Sequence, residues 1–72
     1  MAKALVLVRT EPGVRLKERA KDIEGVKEAL DVTGRFDAVA LIEVKEFSDI
    51  KKIALKIQGI KGVRRTETLI HV

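Results

Sequence analysis

The apolar positions of this 72-residue chain change period as the chain advances, and each change marks an element. Ala4-Leu5-Val6-Leu7-Val8 is an unbroken apolar run with β-branched content, closed by the turn signal Glu11-Pro12-Gly13. Such a run predicts a strand buried on both faces. From Val14 to Ile23 helix formers dominate, and Leu16, Ala20 and Ile23 recur at i, i+4 and i+7 on one helical face. Gly25 then ends the helix. Val26 to Val32 alternates, with Val26, Glu28, Leu30 and Val32 on one side and Lys27, Ala29 and Asp31 on the other, the pattern of a half-buried strand. Thr33-Gly34-Arg35 is a hairpin-like turn. A third strand from Phe36 to Val44 carries Ala38-Val39-Ala40-Leu41-Ile42, apolar on both faces. The second helix starts at Phe47-Ser48-Asp49, with Ser48 or Asp49 as N-cap and Ile50, Ile53, Ala54 and Ile57 as its apolar stripe. Gly59 or Gly62 ends it. Val63 to Val72 is the last strand, with Thr66, Thr68 and Ile70 on one side and Arg65, Glu67, Leu69 and His71 on the other.

The chain echoes itself. Ile23-Glu24-Gly25-Val26 and Ile60-Lys61-Gly62-Val63 occupy equivalent hinges, where isoleucine caps the core, glycine breaks the helix and valine begins the strand. Two β-α-β halves follow, a split βαβ arrangement. Strands that are apolar throughout belong in the middle of a sheet and alternating ones at its edges. The expected fold is therefore α+β, a ferredoxin-like βαββαβ domain of residues 1–72. Its four-stranded antiparallel sheet has the order four-one-three-two, with both helices on one face. Two helices leave the other face bare, although Leu5, Val6, Leu7 and Val8 of the first strand and Val39 and Leu41 of the third make both faces apolar. An apolar patch of several hundred Å² is larger than soluble monomers normally expose. The six residues are accordingly expected at a two-fold, sheet-against-sheet dimer interface.

Composition narrows the function. A domain this small needs disulfides, a metal or self-association. The chain has no cysteine and a single histidine, His71, which excludes a disulfide framework and a His-based metal cluster and leaves self-association. No cofactor is expected. No stretch approaches the length of a membrane span and no signal-peptide cleavage site follows Met1-Ala2-Lys3, so a cytoplasmic location is expected. Charged residues make up 36%, asparagine is absent and Gln58 is the only glutamine, a composition resembling that of thermophile proteins. The net charge of +4 is spread without long runs. DNA binding is expected to be weak, sequence-independent and steeply salt-sensitive.

Most chemistries of this topology lack their residues. A soft-metal chaperone needs paired thiols. A reader of single-stranded RNA stacks bases on sheet aromatics, and here there are two phenylalanines and no tyrosine or tryptophan. His71 has no nucleophile constellation, and Glu43, Glu46 and Asp49 sit among lysines as a solvated face. The segment Thr33-Gly34-Arg35-Phe36-Asp37 stands apart. A glycine turn exposes backbone N–H groups that cradle a carboxylate, and Asp37 can accept from an ammonium group, which together suit a free amino acid. The alternative is that Gly34 simply makes the turn and Asp37 tethers it.

Those residues, the apolar strand and helix after them, and Ile60-Lys61-Gly62-Val63-Arg64-Arg65-Thr66-Glu67-Thr68 together resemble the effector (RAM) domain of the Lrp/AsnC, or feast/famine, transcription regulators. The family pattern is a V-T-G-x-[YF]-D turn followed by an I-x-G-V-x-x-T-x-T strand. The similarity spans residues 3–72. It implies a sheet-on-sheet dimer, often rings of such dimers, and an amino-acid effector held where dimers meet. The effector-binding residues implied are Thr33, Gly34, Arg35, Phe36 and Asp37, with Thr66 and Thr68 of the last strand. No helix-turn-helix domain is expected, so the resemblance is to stand-alone RAM proteins that assemble with full-length Lrp/AsnC regulators and modulate transcription. An oligomeric scaffold with a vestigial pocket is the alternative, and an enzyme is not expected.

Overall fold

In a computed structural model describing all of residues 1–72, six elements follow one another. They are β1 (Ala2–Thr10), α1 (Leu16–Ala20), β2 (Val26–Asp31), β3 (Ala38–Val44), α2 (Phe47–Gln58) and β4 (Val63–Ile70). The strands pair antiparallel in the order β2-β3-β1-β4, so the fold is the ferredoxin-like α+β arrangement. The two strands that are apolar throughout, β1 and β3, lie side by side in the centre. Both helices pack on one face.

The pleat sorts the aliphatics by size. Inward positions hold Ala4, Val6 and Val8 of β1, Ala29 of β2, and Ala38, Ala40 and Ile42 of β3. Leu16 and Ala20 of α1 and Ile50, Ile53 and Ile57 of α2 close the core over them. Alanines in the strands let the isoleucine-bearing helix come close. Outward positions hold the larger residues. Leu5 stands opposite Leu41 and Leu69, and Leu7 and Leu30 both stand opposite Val39. Leu5, Leu30 and Leu69 remain 39%, 48% and 47% exposed, so nothing within the chain covers this face. The molecule is a slab of 33 × 22 × 16 Å. Its accessible surface is 5187 Å², against about 4,500 Å² for a compact monomer of its 8.0 kDa mass.

Several local expectations are corrected by this geometry. Val6 and Val8 are fully buried beneath the helices, because successive strand residues face opposite ways, so they cannot share the bare face with Leu5, Leu7, Val39 and Leu41. α1 is a single turn rather than a helix from Val14 to Ile23. Arg15 is extended, and the Ile23 amide donates to the Ala20 carbonyl at 3.0 Å, which tightens the chain into a turn. Leu16 and Ala20 still pack as their spacing predicts. α2 begins at Phe47 with Glu46 at the N-cap and no side-chain cap, so neither Ser48 nor Asp49 caps it. In β2 the register shifts between Val26 and Glu28, placing Val26 against the core while Leu30 faces outward. β3 starts at Ala38 rather than Phe36, and β4 ends at Ile70.

The sequence echo is a structural one. The Val26 amide donates to the Ile23 carbonyl and the Val63 amide to the Ile60 carbonyl, each at 3.1 Å, with φ of +97° at both Gly25 and Gly62. Glycine with positive φ at the third position is the requirement of a type II turn. Each glycine also sits against the other half: a Cβ at Gly25 would lie 2.2 Å from Ile53 Cδ1, and one at Gly62 would lie 2.6 Å from Val14 Cγ2. Gly25→Ala is expected to cost about 2–4 kcal/mol, from left-handed strain plus overpacking. At Gly34, also of positive φ, a Cβ meets nothing within 4 Å, and Gly34→Ala should cost about 1–2 kcal/mol, from backbone strain alone. Urea unfolding of the two variants checks the difference.

Candidate functional site

The loop between β2 and β3 is pinned at its neck by one residue. The Asp37 amide donates to the Val8 carbonyl at 2.8 Å, and the Asp37 carbonyl accepts from the Val32 amide at 2.9 Å. Its carboxylate Oδ2 accepts from the Thr10 amide at 2.9 Å. The Thr10 amide is available because the β1–β3 ladder ends at the Val8–Ala38 pair, and Thr10 lies two residues beyond it on the side that faces the loop. The Arg9 guanidinium donates to the Arg35 carbonyl and holds the tip of the loop. Thr33, Gly34, Arg35 and Phe36 are thereby presented as a clamped segment beyond the sheet. None of their four amides donates to a backbone acceptor. The loop is a set of free N–H donors on a fixed base.

Of the two roles considered for Asp37, the tether is the one observed: Oδ2 holds the Thr10 amide, two residues along the chain from the free amide of Arg35. Thr66 and Thr68 lie elsewhere in the same chain. They stand opposite Val8 and Val6, so they point to the helix side of β4, where both are half-buried. Two strand spacings, about 10 Å, separate β4 from the β3 side of the loop. One chain therefore brings Thr33 to Asp37 together and keeps the two threonines apart from them. The contribution of Arg9 and Thr10 was not read from the sequence. Their position just after the apolar run of β1 was the available signal, but the point at which a ladder ends leaves no mark in residue pattern.

A second polar group lies at the opposite end of the sheet. Glu43 is bridged by Lys27 Nζ at 3.0 Å and Lys3 Nζ at 3.6 Å. The hydrogen bond from Lys27 dominates and holds the Glu43 carboxyl below its ordinary 4.5, with the two ammonium charges helping and partial desolvation opposing. Beside it, a depression of about 590 Å³ over Gly25 mixes Glu24 and Asp49 with Lys45, Lys52 and Lys56. These charges offset one another, as in the i,i+3 contact of Asp49 with Lys52 at 3.8 Å, and fit a solvated face. No group of three or more His, Cys, Asp or Glu residues is placed to hold a metal ion. No helix is long and apolar enough to cross a membrane.

Comparison with known proteins places this loop and sheet in context. The family model described as the Lrp/AsnC ligand binding domain matches residues 3–72. Among solved structures, TTHA0845 from Thermus thermophilus superposes with a TM-score of 0.91 at 33% identity, covering 100% of this chain and 94% of that one. FFRP-DM1 gives 0.89 at 28% identity with complete coverage of both chains. The feast or famine regulatory protein Rv3291c from M. tuberculosis, solved with L-methionine, shares the fold at a TM-score of 0.82 and 23% identity, and this chain covers half of it. A curated relative is the homocitrate synthase of Sulfolobus acidocaldarius, 31% identical over 68 residues. The match takes in 90% of this chain but only 14% of that enzyme.

Two consequences of the geometry are measurable. Asp37→Ala leaves the Thr10 amide, in a residue only 9% exposed, without its acceptor and should cost about 1–3 kcal/mol in urea unfolding, whereas Asp37→Asn should recover most of that. Because the folded Glu43 carboxyl titrates below its unfolded value, its contribution is present above about pH 4.5 and is lost as pH falls through the folded value. Glu43→Gln should therefore lower stability at neutral pH and flatten the acid limb of the stability profile below about pH 4.5.

Proposed function

The chain belongs to the Lrp/AsnC ligand binding domain family, and on that footing we propose that it is an amino-acid-sensing regulatory module rather than a catalyst. The observation that carries the proposal is the clamped loop: the free amides of Gly34, Arg35 and Phe36 stand on a base fixed by Asp37. A free amino acid presents a carboxylate and an ammonium group at short fixed separation. The loop amides suit the first, and the Asp37 carboxylate, whose Oδ2 alone is engaged by Thr10, suits the second. The L-methionine complex of Rv3291c supports this ligand class.

The remaining half of the site comes from self-association in this reading. Thr66 and Thr68 face the helix side of β4, opposite to the bare face from which Arg9 holds the loop, so in this reading the threonines of a neighbouring subunit complete it. The bare face of Leu5, Leu7, Val39 and Leu41 provides the dimer, and dimers meeting at the loop provide the pocket. Ligand binding and assembly then raise each other's affinity by the same factor. The module acts on transcription through mixed assembly with full-length regulators of its family, without specific DNA contacts of its own. A second reading, a scaffold whose pocket is idle, draws on the engagement of Asp37 Oδ2 by Thr10.

A thermal-shift screen of the twenty amino acids tests the proposal. One or a few should raise the melting temperature, since a ligand bound only by the folded state stabilises it by mass action. Gly34→Val and Thr66→Val should each remove that shift while the apo protein stays folded. A screen in which no amino acid stabilises the protein favours the scaffold. For the interface, Leu7→Asp should dissociate the assembly in light scattering at micromolar concentration, because an unpaired charge in an apolar interface is costly. An unchanged mass for this variant would show that the bare face is not the dimer interface.

A further inference from the structure

The loop has company on the open side of the sheet. Arg9 of β1 stands directly opposite Arg65 of β4, and the register places both side chains on the bare face. Like charges directly opposite across a strand pair are destabilising. No carboxylate forms an ion pair with either, although four other ion pairs form elsewhere in the chain. Glu67 is one step along β4 on the same face and stands opposite Leu7, so it is diagonal to Arg9. The third arginine, Arg35, is exposed in the loop itself, and its carbonyl is what the Arg9 guanidinium holds. Asp31, at the base of the loop, stands opposite Ala38 on the helix side.

We propose that Arg9, Arg35 and Arg65 form an anion-recognition corner beside the loop, so that the effector selected here is an amino acid with an acidic side chain. This inference rests on the reading of the loop as an amino-acid site. Three arginines share this end of the sheet and its loop with two carboxylates, Asp37 and Glu67, which leaves one positive charge in excess. A neutral amino acid is a zwitterion and leaves that excess in place, whereas one additional carboxylate cancels it. Guanidinium groups present planar paired donors that match a carboxylate, and the Arg65 side chain makes no hydrogen bond within the chain that would divert it. The unfavourable Arg9–Arg65 pairing is then relieved when the ligand arrives. The loop amides take the α-carboxylate, Asp37 takes the ammonium, and the arginine corner takes the side chain.

Isothermal titration with L-glutamate and L-aspartate, against L-glutamine and L-asparagine, tests this at fixed ionic strength on the wild-type protein, Arg65→Gln and Arg35→Gln. The acids should bind about tenfold more tightly than their amides, the usual worth of one charge-assisted contact. Arg65→Gln should bring acid and amide to parity while the amide's affinity moves less than about twofold, and the apo melting temperature should hold or rise as the like-charge pair is removed. Neutral amino acids binding as tightly as the acids would overturn the inference and leave the amino-acid reading standing. An acid preference that survives both substitutions would overturn it as well, as would inorganic phosphate binding as tightly as glutamate. Absence of binding by every amino acid overturns both.

Discussion

The larger aliphatic side chains of this sheet are on the face the helices do not cover, and the rest of the structure depends on that choice. Alanines at positions 4, 29, 38 and 40 face the helices, while leucines at 5, 7, 30, 41 and 69 face away. The internal core is correspondingly thin, twelve buried apolar residues in a slab 16 Å deep. A second layer against the bare face would supply much of the hydrophobic stabilisation that so small a chain cannot assemble alone. Folding and self-association are, on this account, one process.

β1 links that process to the loop. It is the one strand flanked by both β3 and β4. Its odd positions, Leu5 and Leu7, face the proposed interface, and its even positions, Val6 and Val8, anchor the core. Immediately beyond them Arg9 and Thr10 clamp the β2–β3 loop through Arg35 and Asp37, and the Val8 carbonyl holds the Asp37 amide. The distance from an interface residue to a loop contact is one or two residues of a single strand. Events at the loop and events at the interface would thus act on the same short stretch of backbone, which is the physical basis of the proposed coupling between effector binding and assembly.

The sheet order was legible because it depends on a coarse property, whether a strand is apolar on one face or two. β1 and β3 declare themselves as central by that criterion alone. The paired hinges at Gly25 and Gly62 were legible because a positive φ leaves glycine as the residue of choice. Register shifts and ladder ends were not. The extra residue at Lys27 sends Val26 inward and Leu30 outward against strict alternation, and the end of the β1–β3 ladder at Val8 and Ala38 leaves the Thr10 amide for Asp37 to capture. Neither follows from propensity, since each is set by the neighbouring strand. α1 shows the same limit: helix formers run to Ile23, but the need to turn at Gly25 ends the helix at Ala20. For the loop, residue chemistry identified the donors and Asp37, while the clamp by Arg9 and the separation of Thr66 and Thr68 required three dimensions.

The dependence of the urea unfolding midpoint on protein concentration tests the central claim most directly, because a fold completed by a second copy is stabilised by mass action. Across about two decades of concentration the account predicts a midpoint that climbs steadily, with light scattering and circular dichroism reporting the same transition. A midpoint that stays fixed over that range, with a folded monomer at its lower end, would contradict it.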